Sequence, residues 1–164
     1  MVAIAARIKK MDPATTACPS PGGMTISRSN HTTLFSDEEA AAAAAWHRGT
    51  GRKWVAFLSH HKEACATEAR LIKGELDSFF GEDGAESFLD SDNLRDLRGL
   101  LDEVRGSSVL VLFQSRHVLE RPWCLIELYT AVMEGIPIVA LNVAGRGYNF
   151  RRSADLLLHL ETEL

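Results

Sequence analysis

The 164-residue sequence has few cysteines, and no two of them have the spacing typical of a metal or redox site. Cys18, Cys65 and Cys124 make an odd count without a CxxC motif, which argues against a disulfide framework and against a thiolate zinc site. This cysteine usage favours a reducing compartment, and we expect a cytoplasmic protein. An organelle transit peptide at the N-terminus is the alternative interpretation of its Ala-, Ser- and Thr-rich composition.

Long hydrophobic runs and an excess of basic charge are also missing. No apolar run approaches the roughly 18 residues that span a bilayer, so we expect no membrane segment. The sequence has 18 Lys and Arg against 22 Asp and Glu, a formal net charge of −4. Because phosphate recognition needs a concentrated basic surface, and Arg151-Arg152 is too short a basic run, nucleic-acid binding is not expected.

The first 50 residues differ in composition from the remainder of the chain. Residues 1–35 are rich in Pro, Gly, Ser and Thr and are predicted to be a flexible tail, because they offer little to bury. In residues 36–50 an alanine run follows Ser36, a residue suited to cap a helix. Trp46 is the one large apolar residue there, so we interpret this helix as a linker or an oligomer contact. Residues 51–164 are predicted to form one domain.

Short apolar runs at 54–59, 87–90, 109–113 and 136–143 predict buried strands. Apolar residues at helical spacing occur between these runs, at 63–80, 97–104 and 122–135, and again at 151–164. Strands that alternate with helices predict an α/β fold with a parallel sheet covered on both faces. Right-handed crossovers favour the flavodoxin-like, doubly wound strand order 2-1-3-4, with no fifth strand evident.

A sheet of this order binds ligands beyond the carboxyl ends of its first and third strands. Ser59, His60 and His61 follow the first strand, and the loop that starts at Asp90 overhangs the same edge. Strand-end loops on a rigid scaffold are where functional residues concentrate. We therefore expect a site at this edge of the sheet.

The predicted helix that begins at Pro122 carries Trp123 one turn before Glu127. Ile126 and Leu128 flank this carboxylate, so its hydration is restricted and its charge is available to a ligand. On spacing alone, however, a surface glutamate with apolar neighbours is the favoured interpretation.

Four segments, in the same order along the chain, resemble the TIR (Toll/interleukin-1 receptor/resistance protein) domain family. They are Val55-Ala56-Phe57-Leu58-Ser59, then Phe88-Leu89-Asp90 with the start of the loop that follows, and the helix segment Arg121-Pro122-Trp123-Cys124-Leu125-Ile126-Glu127-Leu128. Between the last two, the predicted strand at 109–113 resembles the third strand of the family. The resemblance covers about residues 54–143, and the Trp-Cys-x-x-Glu-Leu pattern is its most specific part.

The resemblance implies that NAD is a substrate. In the enzymatic branch of the family, the glutamate four residues after the tryptophan is required to cleave the nicotinamide–ribose bond, and by position that residue is Glu127. The resemblance implies these substrate-binding residues: Ser59, His60, Asp90, Leu94 and Trp123. No cofactor and no metal are expected. The implied partners are further copies of the chain, through TIR–TIR contacts, and other TIR proteins in signal transduction or innate immune defence.

Two other functions remain open from the sequence. A non-catalytic TIR–TIR interaction module is favoured by the missing fifth strand and by the loop from Asp90 to Gly99. Many family members have a small residue and glycine at the tip of this loop, where the chain has Leu94-Arg95-Asp96-Leu97-Arg98. A phosphoacceptor receiver with Asp90 ranks last, because the first strand ends without an acidic pair.

Two chemistries suggested by single residues are set aside. Metal binding by His60, His61 and His117 is disfavoured because adjacent side chains point in different directions and no acidic residue has ligand spacing. Cys124 as a nucleophile is disfavoured because it falls on the predicted core face of its helix.

Overall fold

The computed structural model describes residues 37–80, 84–90 and 97–159, in which helices and strands alternate. The helices are α1 (Asp37–Thr50), α2 (Lys62–Phe80), α3 (Leu97–Arg105), α4 (Pro122–Met133) and α5 (Phe150–Leu158). The strands are β1 (Trp54–Ser59), β2 (Phe88–Leu89), β3 (Ser107–Gln114) and β4 (Ile138–Asn142), with a 3-10 helix at Val118–Glu120. The predicted tail at 1–35 and the predicted substrate-binding residue Leu94 lie outside the described residues.

All four strands form one parallel sheet in the order β2-β1-β3-β4. The predicted α/β class and strand order are therefore confirmed. β1 and β3 pair at the centre, where Ala56 is opposite Val109 and Ser59 is opposite Leu112. β2 has only two residues, shorter than predicted, and pairs Phe88 with Phe57 of β1.

Apolar side chains lie on both faces of the sheet because successive residues of a strand point to opposite sides. One face packs against α3 and α4 through Phe57, Leu100, Val104, Leu110, Leu112 and Leu128. The other packs against α2 through Val55, Leu58, Cys65, Ala69, Phe80 and Phe113. In the described ranges, no helix is both long enough and apolar enough to cross a membrane.

The sheet is less covered at β4 than at its centre. Ile138 is exposed, and 52% of Val139 is exposed. Among the described residues β4 pairs only with β3, so it forms an edge of the sheet. The prediction that both faces are covered is wrong here, because no described helix buries these side chains.

Helix α1 packs against α2, but not through its one large apolar residue, Trp46. Trp46 is exposed, whereas the neighbouring His47 is buried. His47 Nδ1 lies 2.8 Å from Ser108 Oγ, which also lies 2.8 Å from Thr50 Oγ1. The imidazole ring meets the edge of Phe80. Satisfied polar atoms let the histidine point inward, which a pattern of apolar residues does not predict.

Replacement of Leu110 with Ala should destabilise the protein strongly. Leu110 is fully buried in β3, so the substitution leaves a cavity and lowers the free energy of unfolding by about 2–5 kcal/mol. Leu71→Ala removes the same atoms from a side chain that is 62% exposed and should change that free energy by less than about 0.5 kcal/mol. Urea denaturation measures both. Equal losses in the two variants would contradict the assignment of Leu110 to the core.

Candidate functional site

A cavity of about 270 Å³ lies where β1 and β2 end and α4 begins. Its lining residues are His60, His61, Lys62, Glu63, Asp90, Arg121, Trp123, Cys124 and Glu127. They come from three places: the β1–α2 connection with the first turn of α2, the end of β2, and the N-terminal half of α4 with the residue before it. This is the edge at which a parallel sheet of this order binds ligands. A smaller cavity of about 160 Å³, beside the N-terminus of α5, does not include Glu127.

Glu127, which lines the cavity, forms a hydrogen-bonded pair with a buried side chain behind it. Ser59 Oγ, at the end of β1, donates a hydrogen bond of 2.6 Å to Glu127 Oε2. Ser59 is fully buried, and only 2% of Glu127 is exposed. The interpretation of Glu127 as a surface glutamate is therefore wrong. The face of α4 that carries Glu127 turns toward the end of β1, and spacing within one helix does not reveal this.

Burial makes Glu127 a weaker acid than an exposed glutamate. It raises the pKa of Glu127 to about 8, above the ordinary value of 4.5. The hydrogen bond from Ser59 lowers this pKa, the charge of Asp90 raises it, and the charge of Lys62 lowers it. Loss of hydration outweighs the hydrogen bond, because the charged form is penalised when it leaves water. At neutral pH the carboxyl is mostly protonated, and a cation beside it would favour ionisation.

A second carboxylate lies at the end of β2. Asp90 Oδ2 lies 3.8 Å from Lys62 Nζ, at the start of α2, and the Asp90 side chain is largely buried. Asp90 and Lys62 act on the pKa of Glu127 with opposite signs. Two of the three acidic groups that line the cavity, Asp90 and Glu127, therefore interact electrostatically with Lys62 and with each other.

His60 lines the cavity, and most of its surface is buried. Its ring meets the edge of Phe113 at a centroid distance of 6.3 Å, and its Nδ1 lies 3.4 Å from the Leu58 carbonyl oxygen. The side chain therefore contributes a wall of the cavity that is fixed against the core.

His61 points away from His60 and toward the β3–α4 connection. Its Nδ1 lies 3.1 Å from the carbonyl oxygen of Arg116, so Nδ1 is the donor. Its Nε2 meets the Arg121 guanidinium, which also donates to Glu63 Oε2 at 3.0 Å. Within the described part of the chain, no group of three His, Cys, Asp or Glu side chains is arranged to hold a metal ion.

Trp123 and Cys124 open helix α4 and face different surroundings. Trp123 is 48% exposed at the cavity mouth, where an indole can stack on a flat ligand. Cys124 is buried, so its predicted core position is confirmed. Burial, followed by the charge of Glu127, raises the pKa of Cys124 to about 12. The thiol is thus protonated at neutral pH and is not a nucleophile there.

Most of the predicted site residues lie together. Ser59 bonds to Glu127, and His60, Asp90, Trp123 and Glu127 line the cavity. Leu94 lies outside the described residues.

The cavity also has lining residues outside the predicted set, among them Glu63 and Arg121, which pair with each other. The available signal was their position, since Glu63 opens α2 soon after β1 and Arg121 directly precedes Pro122. A residue at such a junction lies at the same sheet edge as the strand ends.

No protein-family model matches the chain, and no curated protein matches it. The TIR resemblance therefore stays a prediction, and it rests on the residues quoted above.

Glu127→Gln should remove a pH dependence of stability. The pKa of Glu127 is raised from 4.5 to about 8 on folding, so between these values the folded protein binds more protons than the unfolded chain. The free energy of unfolding then falls as the pH rises, by up to about 1.4 kcal/mol per pH unit. Urea denaturation from pH 5 to 8 measures this slope, and Glu127→Gln should lack its contribution. The exposed Glu75→Gln control should keep the wild-type slope; equal slopes in wild type and Glu127→Gln would refute the raised pKa.

Proposed function

We propose that the chain is a TIR-like domain that cleaves the nicotinamide–ribose bond of NAD, by hydrolysis, cyclisation or both. One observation carries the proposal: the buried Glu127 carboxyl, held by Ser59, lines a cavity with Trp123 at its mouth. The position of this cavity beyond the end of β1 also supports it, as does the strand order of the sheet.

The chemistry needs one anion close to the ribose. Cleavage breaks the bond between C1′ and the pyridinium nitrogen, and the electron pair of that bond leaves with nicotinamide as a neutral base. C1′ becomes oxocarbenium-like. In hydrolysis water attacks C1′ and loses a proton to give ADP-ribose; in cyclisation an adenine nitrogen attacks instead. Ionised Glu127 stabilises the positive charge that develops on the ribose.

The burial of Glu127 strengthens this stabilisation. In a site with little water, the attraction between a carboxylate and a developing cation is greater than in solvent. The raised pKa keeps the Glu127 carboxyl mostly neutral in the free protein, and the cationic nicotinamide ring of NAD favours loss of its proton. Substrate binding is therefore coupled to ionisation of Glu127.

Nicotinamide release from NAD tests the proposal directly. Glu127→Ala should reduce the rate at least about a hundredfold, because it removes the charge that stabilises the transition state. Glu75→Ala, which removes an exposed carboxylate on α2, should leave the rate unchanged. The TIR resemblance also implies that self-association activates the domain, so concentrated protein should be used. A rate that is the same in wild type and Glu127→Ala would exclude the assigned role.

A non-catalytic interaction module is the second candidate, and the exposed edge of the sheet favours it. β4 presents Ile138 and Val139 to solvent and carries no charged residue, and uncharged edges tend to pair with other chains. Light scattering at increasing concentration distinguishes the candidates. Assembly without nicotinamide release would favour the interaction module, and a strict monomer that releases nicotinamide would favour the enzyme.

A further inference from the structure

The cavity over Glu127 adjoins a second cavity of about 330 Å³. We name the first the Glu127 lobe and the second the Arg70 lobe. The two lobes share His60, Lys62, Glu63 and Asp90, and the Arg70 lobe adds Ala66, Arg70 and Leu89. A ligand too long for one lobe can therefore extend from one into the other.

The carboxylates of the Arg70 lobe already have cationic partners. Asp90 lies 3.8 Å from Lys62, and Glu63 accepts a hydrogen bond of 3.0 Å from Arg121. The exposed Arg70 forms no ion pair with any residue in 37–80, 84–90 or 97–159. Arg70 is thus the cation that this lobe offers to a ligand.

The two lobes offer groups of opposite character. The Glu127 lobe holds a buried carboxyl, which suits a cation. The Arg70 lobe holds a guanidinium, whose planar fork of donors matches two oxygens of a phosphate. A nicotinamide nucleotide has its pyridinium cation at C1′ and its phosphate at C5′ of one ribose. Such a ligand can therefore place its pyridinium ring in the Glu127 lobe and its phosphate in the adjoining Arg70 lobe.

We propose that the Arg70 lobe is a phosphate subsite, so that the cleft selects phosphorylated nicotinamide nucleotides over the unphosphorylated riboside. The inference rests on the proposed function for the identity of the base. It adds that the phosphate group of the substrate is recognised and distinguishes nucleotides from the riboside. Arg70 is a specificity residue here, since it lies away from the glycosidic bond.

Steady-state kinetics test the proposal. Arg70→Ala should lower kcat/KM for NAD about tenfold to a hundredfold, the loss expected when one charge-assisted hydrogen-bonding pair is removed. The same variant should change kcat/KM for nicotinamide riboside less than twofold. Arg70→Lys keeps the charge but not the fork, and should give an intermediate value for NAD. Arg151→Ala, an exposed arginine outside both lobes, is the matched control and should behave as wild type.

Binding separates this inference from the proposed function. Calorimetry in a Glu127→Gln background should give tighter binding of nicotinamide mononucleotide than of nicotinamide riboside, and Arg70→Ala should abolish the difference. If that result holds and the wild type releases no nicotinamide, the phosphate subsite stands and the proposed activity fails. If NAD is cleaved but Arg70→Ala affects NAD and the riboside equally, or neither, the phosphate subsite is refuted. Equal affinities of the mononucleotide and the riboside would refute it as well.

Discussion

The hydrogen bond from Ser59 to Glu127 joins the end of the central strand to helix α4, and the site depends on it. A carboxyl with 2% of its surface exposed cannot keep its hydration, so it stays protonated or needs a cation. One hydroxyl donor does not supply enough stabilisation to keep it ionised at neutral pH, as its raised pKa indicates. A cation beside Glu127 would therefore favour its ionised form, and this is the basis of the proposed function.

The parallel sheet explains why these groups meet. Ser59 and Asp90 each end, or directly follow, a strand, and parallel neighbours bring such residues to one edge. Helix α4 then crosses back over the sheet with Cys124 and Leu128 in the core. This packing fixes the rotation of α4 and directs Glu127, one residue before Leu128, toward the end of β1.

Much of this fold follows from the sequence because buried parallel strands are continuous apolar runs. The run at 54–59 matches β1 residue for residue, and the strand order follows from the handedness of crossovers. Errors arise where a polar residue is buried. His47 packs inward because Ser108 satisfies its ring nitrogen, and a search for apolar residues selects exposed Trp46 instead.

The position of the candidate site could be predicted from the sequence, but the burial and the raised pKa of Glu127 could not. Strand ends indicated the edge of the sheet that holds Ser59 and Asp90, whereas Glu127 was singled out only by the TIR resemblance. Burial of Glu127 depends on how α4 is rotated against the sheet, which is a tertiary property that no spacing within the helix encodes. Arg121 and Glu63 illustrate the same limit, because their pairing joins segments that are far apart in sequence.

The most direct measurement is a carboxyl 13C NMR titration of Glu127, alone and with the N-methylnicotinamide cation. This probe carries the pyridinium charge but has no ribose bond to cleave. We expect a pKa of about 8 in the free protein and a lower pKa when the cation is bound, because a neighbouring positive charge favours the carboxylate. An ordinary carboxyl pKa in the free protein, or a raised pKa that the cation leaves unchanged, would contradict the central role of Glu127.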